Sequence, residues 1–348
     1  MATGKTATAE RSVRVTVPNR VDLAGGTLDI YPLYLLVPGS MTVNAAIGVM
    51  SRVEIVPSPG KARLVSGNFP QRAAARDTHG FAPGGNLGLI AAALRCFPPV
   101  RGLTLSMRNE APVGSGIGAS SALLVAAMLA MDALLARRRR WEDTAREAME
   151  IEAAHLRSLT GRQDHVAALR GGIQGIVFRP GRIEASRIPV RSRAGRALAA
   201  HGFLAGTGKS HHSSDVNWRM IRGAIEGDAR VLRRFAAIAA AARDAWDAVS
   251  AGEIAAVGKA VAAEWAVRKT LAPGVSTHLV DAALGSRELR GRVAGAKLCG
   301  AGGGGMLFGL LRAPEERPAV EEVLRRRGFT VYPFRLCAGP SVETGDPC

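Results

Sequence analysis

The chain has 348 residues and is 47% hydrophobic, which supplies enough apolar material for more than one buried core. Its formal net charge is +17, but the arginines are spread along the whole chain, aromatic residues make up only 5%, and no zinc-knuckle or helix-turn-helix signature stands out. The composition therefore argues against a nucleic-acid-binding protein and favours a general arginine bias, with a preference for anionic substrates as a contributor.

The cysteines and the N-terminal residues show no sign of secretion, and the chain shows no membrane span. The four cysteines form no CxxC pair and no metal-ligand spacing, which suits a reducing, cytoplasmic setting. Residues 1–11 lack the apolar stretch of a signal peptide and are expected to be frayed. No apolar run reaches the ~20 residues of a membrane span, and residues 123–135 are interpreted as a buried helix.

The first half of the chain is predicted to alternate strands with helices. Apolar and alternating patterns predict strands at 12–18, 42–47, 51–57, 102–108 and 171–178. Helices are predicted at 86–96 with Asn86 as the cap, from the glycine-rich segment 111–122 to the arginines at 137–140, at 142–159, and at 164–169. The segment 60–85 has no clear period and is expected to be a loop with short pieces of structure.

The sequence changes in character after Gly181. Strands are predicted at 203–206, within 296–311 and at 330–336, and helices at 215–251, 254–271 and 314–327. The interleaving of strands and helices indicates α/β or α+β layers. Because the chain is long for one core, we expect two domains, residues 1–185 and 186–348.

A glycine-rich segment, PVGSGIGASS at 112–121, lies between a predicted strand and a predicted helix. Glycines let a backbone wrap around an anion and a helix N-terminus supplies N–H groups, so this is a candidate phosphate-binding loop. It lacks the GK[ST] ending of a P-loop and does not match GxGxxG. An ordinary glycine turn capped by serine is the alternative. The candidate binding residues are Pro112, Gly114, Ser115, Gly116, Ile117, Gly118, Ala119, Ser120 and Ser121.

Three segments resemble, in order, the three signatures of the GHMP kinases, the superfamily of galactokinase, homoserine kinase, mevalonate kinase and phosphomevalonate kinase. They are PNRVDLAGGTLD at 18–29, the glycine-rich segment at 112–122, and KLCGAGGGG at 297–305. The resemblance implies an α/β (α+β) fold of two domains, an N-terminal one related to ribosomal protein S5 domain 2 and a ferredoxin-like C-terminal one. The active site would lie between them.

Within that superfamily, GRQDHVAA at 161–168 and the stretch from Glu264 to Leu271 are similar to bacterial kinases of D-glycero-D-manno-heptose 7-phosphate and related sugar kinases. This implies an enzyme that uses ATP and Mg²⁺ to phosphorylate a hydroxyl group of a sugar or sugar phosphate, as a monomer or homodimer. Two departures leave the substrate open. Gly25 and Gly26 replace the acidic residue and histidine of galactokinases, which argues against galactose, and Ala119 replaces a common serine.

The resemblance gives Asp164 and Arg20 the catalytic roles. Asp164 matches the aspartate that contacts the attacking hydroxyl, where it could accept the proton or only orient the group. The alternative is an N-cap carboxylate for the helix at 165–169. Arg20 would lower the pKa of the nucleophile, pair with Asp164, or stabilise the transferred phosphoryl group. A surface arginine at a strand end is the alternative.

The magnesium ligands implied by the resemblance are Ser120 and Glu152. Magnesium keeps several waters, so one hydroxyl and one carboxylate are enough protein ligands. Glu150 is a competitor that fits the spacing to Asp164 less well, and a solvated helical glutamate is the alternative for either residue.

Acceptor binding is assigned to residues from all three signatures and the Gln-Asp segment. Asp29 could accept two sugar hydroxyls, with a turn aspartate as the alternative. The full set is Asp29, Gly25, Gly26, Gln163, Gly302, Gly303 and Gly304. His211 and His212 are adjacent in a polar loop but have no evident third metal ligand, so they are interpreted as a substrate-side loop or plain surface, with Lys209 as a candidate phosphate contact.

Three other functions stay open at this point. The first is a kinase of the same fold that phosphorylates a non-sugar alcohol, which would need a more apolar acceptor pocket. The second is a catalytically inactive paralogue that binds a ligand. The third is a basic nucleic-acid binder built on an S5-like domain, whose affinity would fall steeply with salt.

Overall fold

The computed structural model describes residues 7–209 and 213–345, the side chains of 213–217 excepted. In chain order the strands are β1 (Ala7–Thr8), β2 (Ser12–Ala24), β3 (Met41–Pro57), β4 (Ala62–Ser66), β5 (Arg72–Ala75), β6 (Val100–Arg101), β7 (Leu103–Asn109), β8 (Ile173–Arg179), β9 (Arg182–Ile188), β10 (Gly202–Gly206), β11 (Val293–Leu298), β12 (Met306–Leu311), β13 (Thr330–Tyr332) and β14 (Ser341–Gly345). The helices are α1 (Leu33–Leu36), α2 (Gly88–Leu94), α3 (Ala119–Leu134), α4 (Trp141–Leu156), α5 (Gln163–Arg170), α6 (Arg193–His201), α7 (Ser213–Ile225), α8 (Ala229–Ala251), α9 (Ile254–Arg268), α10 (His278–Leu284), α11 (Arg287–Arg290) and α12 (Arg317–Arg326).

The larger sheet is organised around β2 and the 17-residue strand β3, which pair antiparallel. Its main path runs β14-β2-β3-β7-β4-β5, and β8 pairs with the first part of β3 while carrying β9 on its other side. The sequence predicted the first strand to end at Pro18, but β2 continues to Ala24 through a register shift after Pro18. Proline donates no ladder hydrogen bond, so it is accommodated where the pairing is interrupted.

The smaller sheet has four antiparallel strands in the order β11-β12-β10-β13. Numbered along the chain, this is the order 2-3-1-4, which is the ferredoxin-like arrangement that the resemblance implied. The two central strands, β10 and β12, are buried along their whole length. The chain then returns to the larger sheet, because β14 pairs with β2. The division at residue 185 stays a prediction, and β9 spans that position.

The two sheets share one apolar cluster, which places their edges next to each other. It combines Val21 and Val43 of the larger sheet with Leu204 and Phe308 of the smaller one. Ile117 of the glycine loop belongs to the same cluster and is fully buried. Apolar burial therefore fixes the glycine loop between the two sheets, where a cleft opens.

Three further predictions about elements are wrong in detail. Asn86 does not cap α2, which begins at Gly88 without a side-chain cap. The strands predicted at 42–47 and 51–57 are one strand, β3. The helix predicted at 215–251 is interrupted at Gly227, which has a φ of +79°, and Asp228 caps α8 by accepting hydrogen bonds from two backbone N–H groups. Glycine and aspartate are common at such breaks because glycine tolerates positive φ and aspartate supplies an acceptor.

The apolar helix predicted at 123–135 is α3, whose buried side chains pack under the larger sheet. No helix in the part of the chain that the structure describes is both long enough and apolar enough to cross a bilayer.

Candidate active site

The glycine loop between β7 and α3 contains three residues in the left-handed region. Gly114, Gly116 and Gly118 have φ angles of +69°, +73° and +75°. Glycine adopts this conformation at little cost, whereas other residues are strained there. A Cβ at Gly116 would also lie 2.6 Å from the carbonyl oxygen of Cys299, so two independent constraints require glycine at this position.

The carbonyl groups of the loop accept hydrogen bonds from protein, whereas its N–H groups beyond Ser115 have no described acceptor. Arg20 Nη1 donates to Gly116 O at 2.6 Å, Arg20 N–H donates to Ile117 O at 3.0 Å, and Met306 N–H donates to Ser115 O at 2.8 Å. The backbone N–H groups of 116–121 donate to no other residue that the structure describes. Such a row of donors at the start of a helix is a binding site for an anion such as phosphate.

The third glycine cluster, residues 300–305 of the third signature, packs directly against this loop. A Cβ at Gly300 would lie 2.9 Å from Gly116 O, and one at Gly305 would lie 2.5 Å from Ser115 O. Gly302 and Gly304 are equally crowded, against Val275 and Lys209 respectively. The cluster is therefore a rigid, close-packed wall, and the alternative of a flexible glycine hairpin does not fit it.

The cleft beside the glycine loop has a volume of about 290 Å³. Most of the predicted site residues line it, namely Arg20, Gly26, Asp29, Gly114, Ser115, Gly116, Gly118, Ala119, Ser120, Ser121, Glu152, Gln163 and Asp164. The predicted residues outside its lining are Gly25, Pro112, Ile117, Gly302, Gly303 and Gly304. The cleft is also lined by residues that were not predicted, which are Thr27, Ile30, Leu156, Ser158, Leu159, Thr160, Gly161, Gly300 and Ala301.

Arg20 and Asp164 form an ion pair on the floor of the cleft. Arg20 Nε donates to Asp164 Oδ1 at 2.7 Å, and Nη2 lies 2.6 Å from the same oxygen. Arg20 is buried, so it is not a surface arginine. Burial lowers the pKa of Arg20, but the charges of Asp164 and Asp22 raise it more, so the guanidinium stays charged. Asp164 keeps 23% of its side chain exposed, which leaves part of the carboxylate accessible from the cleft.

Asp164 is the second residue of α5, and the helix has no side-chain cap. The N-cap alternative for Asp164 is therefore wrong. A Cβ at Gly118 would lie 3.0–3.2 Å from the Asp164 carboxyl group, so the carboxylate sits directly below the last glycine of the loop. A group held by the loop and a group held by Asp164 would consequently be close neighbours.

Glu152 lies on α4 and is buried, whereas Glu150 is exposed. Ser121 Oγ donates to Glu152 Oε2 at 2.7 Å, and His165 Nε2 lies 3.1 Å from the same oxygen. Burial raises the pKa of Glu152, but His165, Ser121 and Ser120 lower it more, so the carboxylate is anionic at neutral pH. A carboxylate beside serine hydroxyls is a set of hard oxygen donors, which fits Mg²⁺.

Asp29 lies on the other side of the cleft, and its carboxylate is buried. It accepts hydrogen bonds from Gln163 N at 3.0 Å and Gln163 Nε2 at 3.2 Å. A Cβ at Gly161 would lie 1.8 Å from Asp29 Oδ2, so only glycine fits there. Burial and the charge of Asp164 raise the pKa of Asp29 to about 6, because its partners are neutral amides rather than cations.

Four charged residues behind the cleft were given no role from the sequence. Asp22, Glu264, Arg268 and Lys297 are all fully buried and contact one another. Asp22 lies inside the first signature and Lys297 inside the third. Glu264 and Arg268 are four residues apart on α9. That spacing places Glu264 and Arg268 on one helix face, which was the available signal.

The polar loop that contains Lys209, His211 and His212 contributes none of its described residues to the cleft lining. His211 and His212 lie outside the described residues. Lys209 does not line the cleft and instead lines a second cavity of about 210 Å³ on the far side of the glycine loop, with Pro112, Val113 and Tyr332. Among the described residues, no three His, Cys, Asp or Glu side chains form a group that could hold a metal ion.

Family comparisons agree with this arrangement of signatures. Residues 87–172 match the model of the GHMP kinases N terminal domain, and residues 237–329 match that of the GHMP kinases C terminal domain. Together the two models match just over half of the chain. No curated protein sequence matches the chain significantly.

Solved structures show the same fold at low sequence identity. A D-glycero-D-manno-heptose 1-phosphate kinase from Bacteroides thetaiotaomicron has a TM-score of 0.76 at 22% identity, covering 95% of this chain and 98% of that one. A Lactococcus lactis galactokinase complexed with galactose has a TM-score of 0.77 at 17% identity, with 95% of each chain covered. A mevalonate kinase from L. major in complex with R-mevalonate has a TM-score of 0.69 at 18% identity, covering 100% and 99%.

The fold and the cleft are those of a small-molecule phosphotransferase. The chain belongs to the GHMP kinase family, with an α/β fold of two domains.

Proposed function

We propose that the protein transfers the γ-phosphate of ATP to a hydroxyl group of a sugar or sugar phosphate. Residues 112–121 would bind the ATP phosphates, Ser120 and Glu152 would hold Mg²⁺, and Asp164 with Arg20 would act on the reacting groups. The acceptor would lie against Asp29 and Gln163, with Gly300 and Ala301 of the third signature in the same lining. Cytoplasmic location and a monomeric or homodimeric state remain predictions.

Phosphoryl transfer depends mainly on positioning and on stabilising negative charge. The glycine loop offers N–H donors without described protein partners, and Arg20 carries a positive charge at the base of the same loop. Asp164, directly below Gly118, would orient the attacking hydroxyl and accept its proton. Bound Mg²⁺ would neutralise charge on the ATP phosphates.

The observation that carries the proposal is the position of Asp29 in the same cleft as Asp164. Asp29 is a buried carboxylate whose described hydrogen-bond donors are the two groups of Gln163. A carboxylate accepts hydrogen bonds from two hydroxyls at once, which suits the adjacent hydroxyls of a polyol. Thr27, Ser158 and Thr160 add further polar groups to the lining, so the acceptor side favours a sugar over an apolar alcohol.

The charge of the cleft favours an acceptor without a phosphate group. Three carboxylates line it, those of Asp29, Glu152 and Asp164. Among the described residues Arg20 is the only basic side chain in that lining, and it already pairs with Asp164. A second phosphate would meet repulsion without a matching cation, so a neutral sugar fits better than a sugar phosphate despite the arginine-rich composition.

The test is ADP release from Mg-ATP with a panel of acceptors, each neutral sugar beside its phosphate ester. The panel pairs heptose, fucose and galactose with their phosphate esters, heptose 7-phosphate among them, and adds the anionic sugar glucuronate together with mevalonate and homoserine. Turnover with one or more sugars, highest with a neutral one, is the expected result. Turnover confined to mevalonate or homoserine would replace the sugar by another alcohol. ATP binding without turnover across the panel would identify an inactive paralogue.

A further inference from the structure

Behind the cleft, four fully buried charged side chains form one continuous network. Lys297 Nζ lies 2.5 Å from Asp22 Oδ2 and 3.0 Å from Glu264 Oε2, and Arg268 Nε donates to Glu264 Oε1 at 2.6 Å. The four residues come from β2, α9 and β11, so the network joins the larger sheet to the smaller one. Two cations balance two anions, and a buried network of this kind requires every partner.

Each end of the network holds the backbone of a residue that lines the cleft. At one end, Asp22 Oδ1 accepts a hydrogen bond from Gly300 N at 3.1 Å. At the other, Arg268 donates to Gly26 O through Nη2 and to Thr27 Oγ1 at 3.1 Å through Nη1. All three residues line the cleft: Gly26 and Thr27 precede Asp29 in the chain, whereas Gly300 packs against Gly116.

The Gly26–Thr27 turn packs directly against the network. A Cβ at Gly26 would lie 2.8 Å from Asp22 Oδ2 and 3.2 Å from Arg268 Nη2, so only glycine lets the loop come this close. The charge of Asp22 is also stabilised by the cations around it. Burial raises the pKa of Asp22, but Lys297, Arg20 and Arg268 lower it more, so its carboxylate stays ionised.

The ATP-binding loop is held by different groups. Its carbonyls accept from Arg20 at Gly116 and Ile117 and from Met306 at Ser115, and the four network side chains donate no described hydrogen bond to it. Gly116 touches Gly300 only by packing. A change in the network should therefore disturb the acceptor side of the cleft more than the ATP side.

We propose that Lys297 is a positioning residue for the acceptor. Its ammonium group contacts both carboxylates of the network and, through Asp22 and the Glu264–Arg268 pair, fixes Gly300 and the Gly26–Thr27 turn in the positions that close the acceptor side of the cleft. This role rests on the proposed function of that cleft, and the network itself rests on the contacts described above.

The experiment compares Lys297→Met and Lys297→Arg with wild type. The Met variant should raise the KM for the acceptor by about 10-fold to 100-fold, because a misplacement of about 1 Å costs up to 100-fold. Its KM for ATP should stay within about twofold, and the Arg variant should recover part of the loss. Arg139→Met is the matched control, since Arg139 pairs with the buried Asp132 away from the cleft lining. It should lower Tm and leave both KM values unchanged.

Hydrogen–deuterium exchange of the same variants separates the network from the choice of acceptor, because it needs no turnover. Lys297→Met should speed exchange at 24–30 and 298–302 while 112–121 stays as in wild type. If Lys297→Met fails to fold, Glu264→Gln, which keeps the Lys297–Asp22 pair, should give the same pattern with smaller changes. A lowered Tm with unchanged acceptor KM and exchange, or equal rises in both KM values, would overturn the role. Absence of turnover by wild type would refute the proposed function alone.

Discussion

Asp22 and Asp29 lie seven residues apart in the first signature, and both are buried, yet their surroundings differ in kind. Asp22 contacts the ammonium of Lys297 and lies near two arginines, and its pKa is lowered. Asp29 accepts hydrogen bonds from Gln163, faces the cleft, and has its pKa raised to about 6. Burial alone therefore does not decide whether a carboxylate is ionised, because the charges of its neighbours also shift its pKa.

The contrast indicates that the charge of Asp22 stabilises the fold, whereas the charge of Asp29 is available to bind a ligand. Asp22 is compensated by cations, so removing it should damage stability. Burial and the charge of Asp164 raise the pKa of Asp29 more than its neutral hydrogen-bond donors and Arg20 lower it, so its buried charge costs stability until a ligand adds hydroxyl donors. The same distinction applies to Asp164, whose charge is shared between Arg20 and the open cleft.

The largest effect is expected for Asp164→Asn. The amide keeps the shape but cannot accept the proton of the attacking hydroxyl, so kcat should fall by about 10²-fold to 10⁴-fold. Steady-state kinetics with the best acceptor measures this. Asp132→Asn is the control, because Asp132 is likewise an aspartate paired with an arginine, Arg139, but is buried and lies outside the cleft lining. A comparable loss of kcat in both variants would show that the effect is not specific to the cleft.

Asp22→Asn should lower the free energy of unfolding by about 3 kcal/mol, because it leaves a buried ammonium without one of its two anions. Urea unfolding at pH 7 measures the change. If the variant were as stable as wild type, the assignment of Asp22 as a structural charge would be wrong.

Asp29→Asn should become more stable relative to wild type as the pH rises. The folded protein binds the Asp29 proton more tightly, since its pKa is about 6 against 3.8 for the ordinary group. This carboxyl group therefore lowers the free energy of unfolding as pH increases between those values. Between pH 4 and pH 8 the variant should gain about 2–3 kcal/mol relative to wild type. A difference that does not vary with pH would contradict the raised pKa.

The same variant should bind the acceptor less well above pH 6, where wild-type Asp29 is ionised. We expect the acceptor KM to rise about 10-fold, on the scale of losing one or two hydrogen bonds to a charged group. In wild type the acceptor KM should increase as pH falls through 6, and in Asp29→Asn that dependence should be lost. An unchanged KM would move the acceptor away from Asp29.

An effect of similar size to that on the acceptor KM concerns magnesium. Glu152→Gln should raise the Mg²⁺ concentration required for half-maximal activity by at least about 10-fold, because outer-shell changes alone have that effect on metal sites. Glu150→Gln, exposed on the same helix, should behave as wild type. Direct Mg²⁺ titration in the presence of an ATP analogue gives a second readout. Equal effects of the two changes would remove Glu152 from the site.

The sequence was sufficient where a local pattern decides the structure. The strand predicted at 171–178 is β8, the one at 203–206 is β10, and the family assignment is confirmed by both family models. The glycine loop was located because positive φ and close packing both demand glycine, as Gly116 shows.

The rest depended on contacts between distant residues. Lys297 and Asp22 are 275 residues apart, so no local pattern pairs them. The serine that donates to Glu152 with a short side-chain hydrogen bond is Ser121, while Ser120 was the predicted ligand. That difference depends on how α3 packs against α4. The break at Gly227 was missed although Gly227 followed by Asp228 is a local signal for a helix end and a new cap.

The most direct measurement is ³¹P NMR of the protein with Mg-ATP and the acceptor panel. We predict that one sugar gives a new phosphomonoester resonance with wild type, that the resonance grows at least about 100-fold more slowly with Asp164→Asn, and that it grows slowly with Asp29→Asn at pH 8 and low acceptor concentration. An ester formed equally by all three proteins, or ADP and inorganic phosphate with no ester, would contradict phosphoryl transfer to a sugar in this cleft.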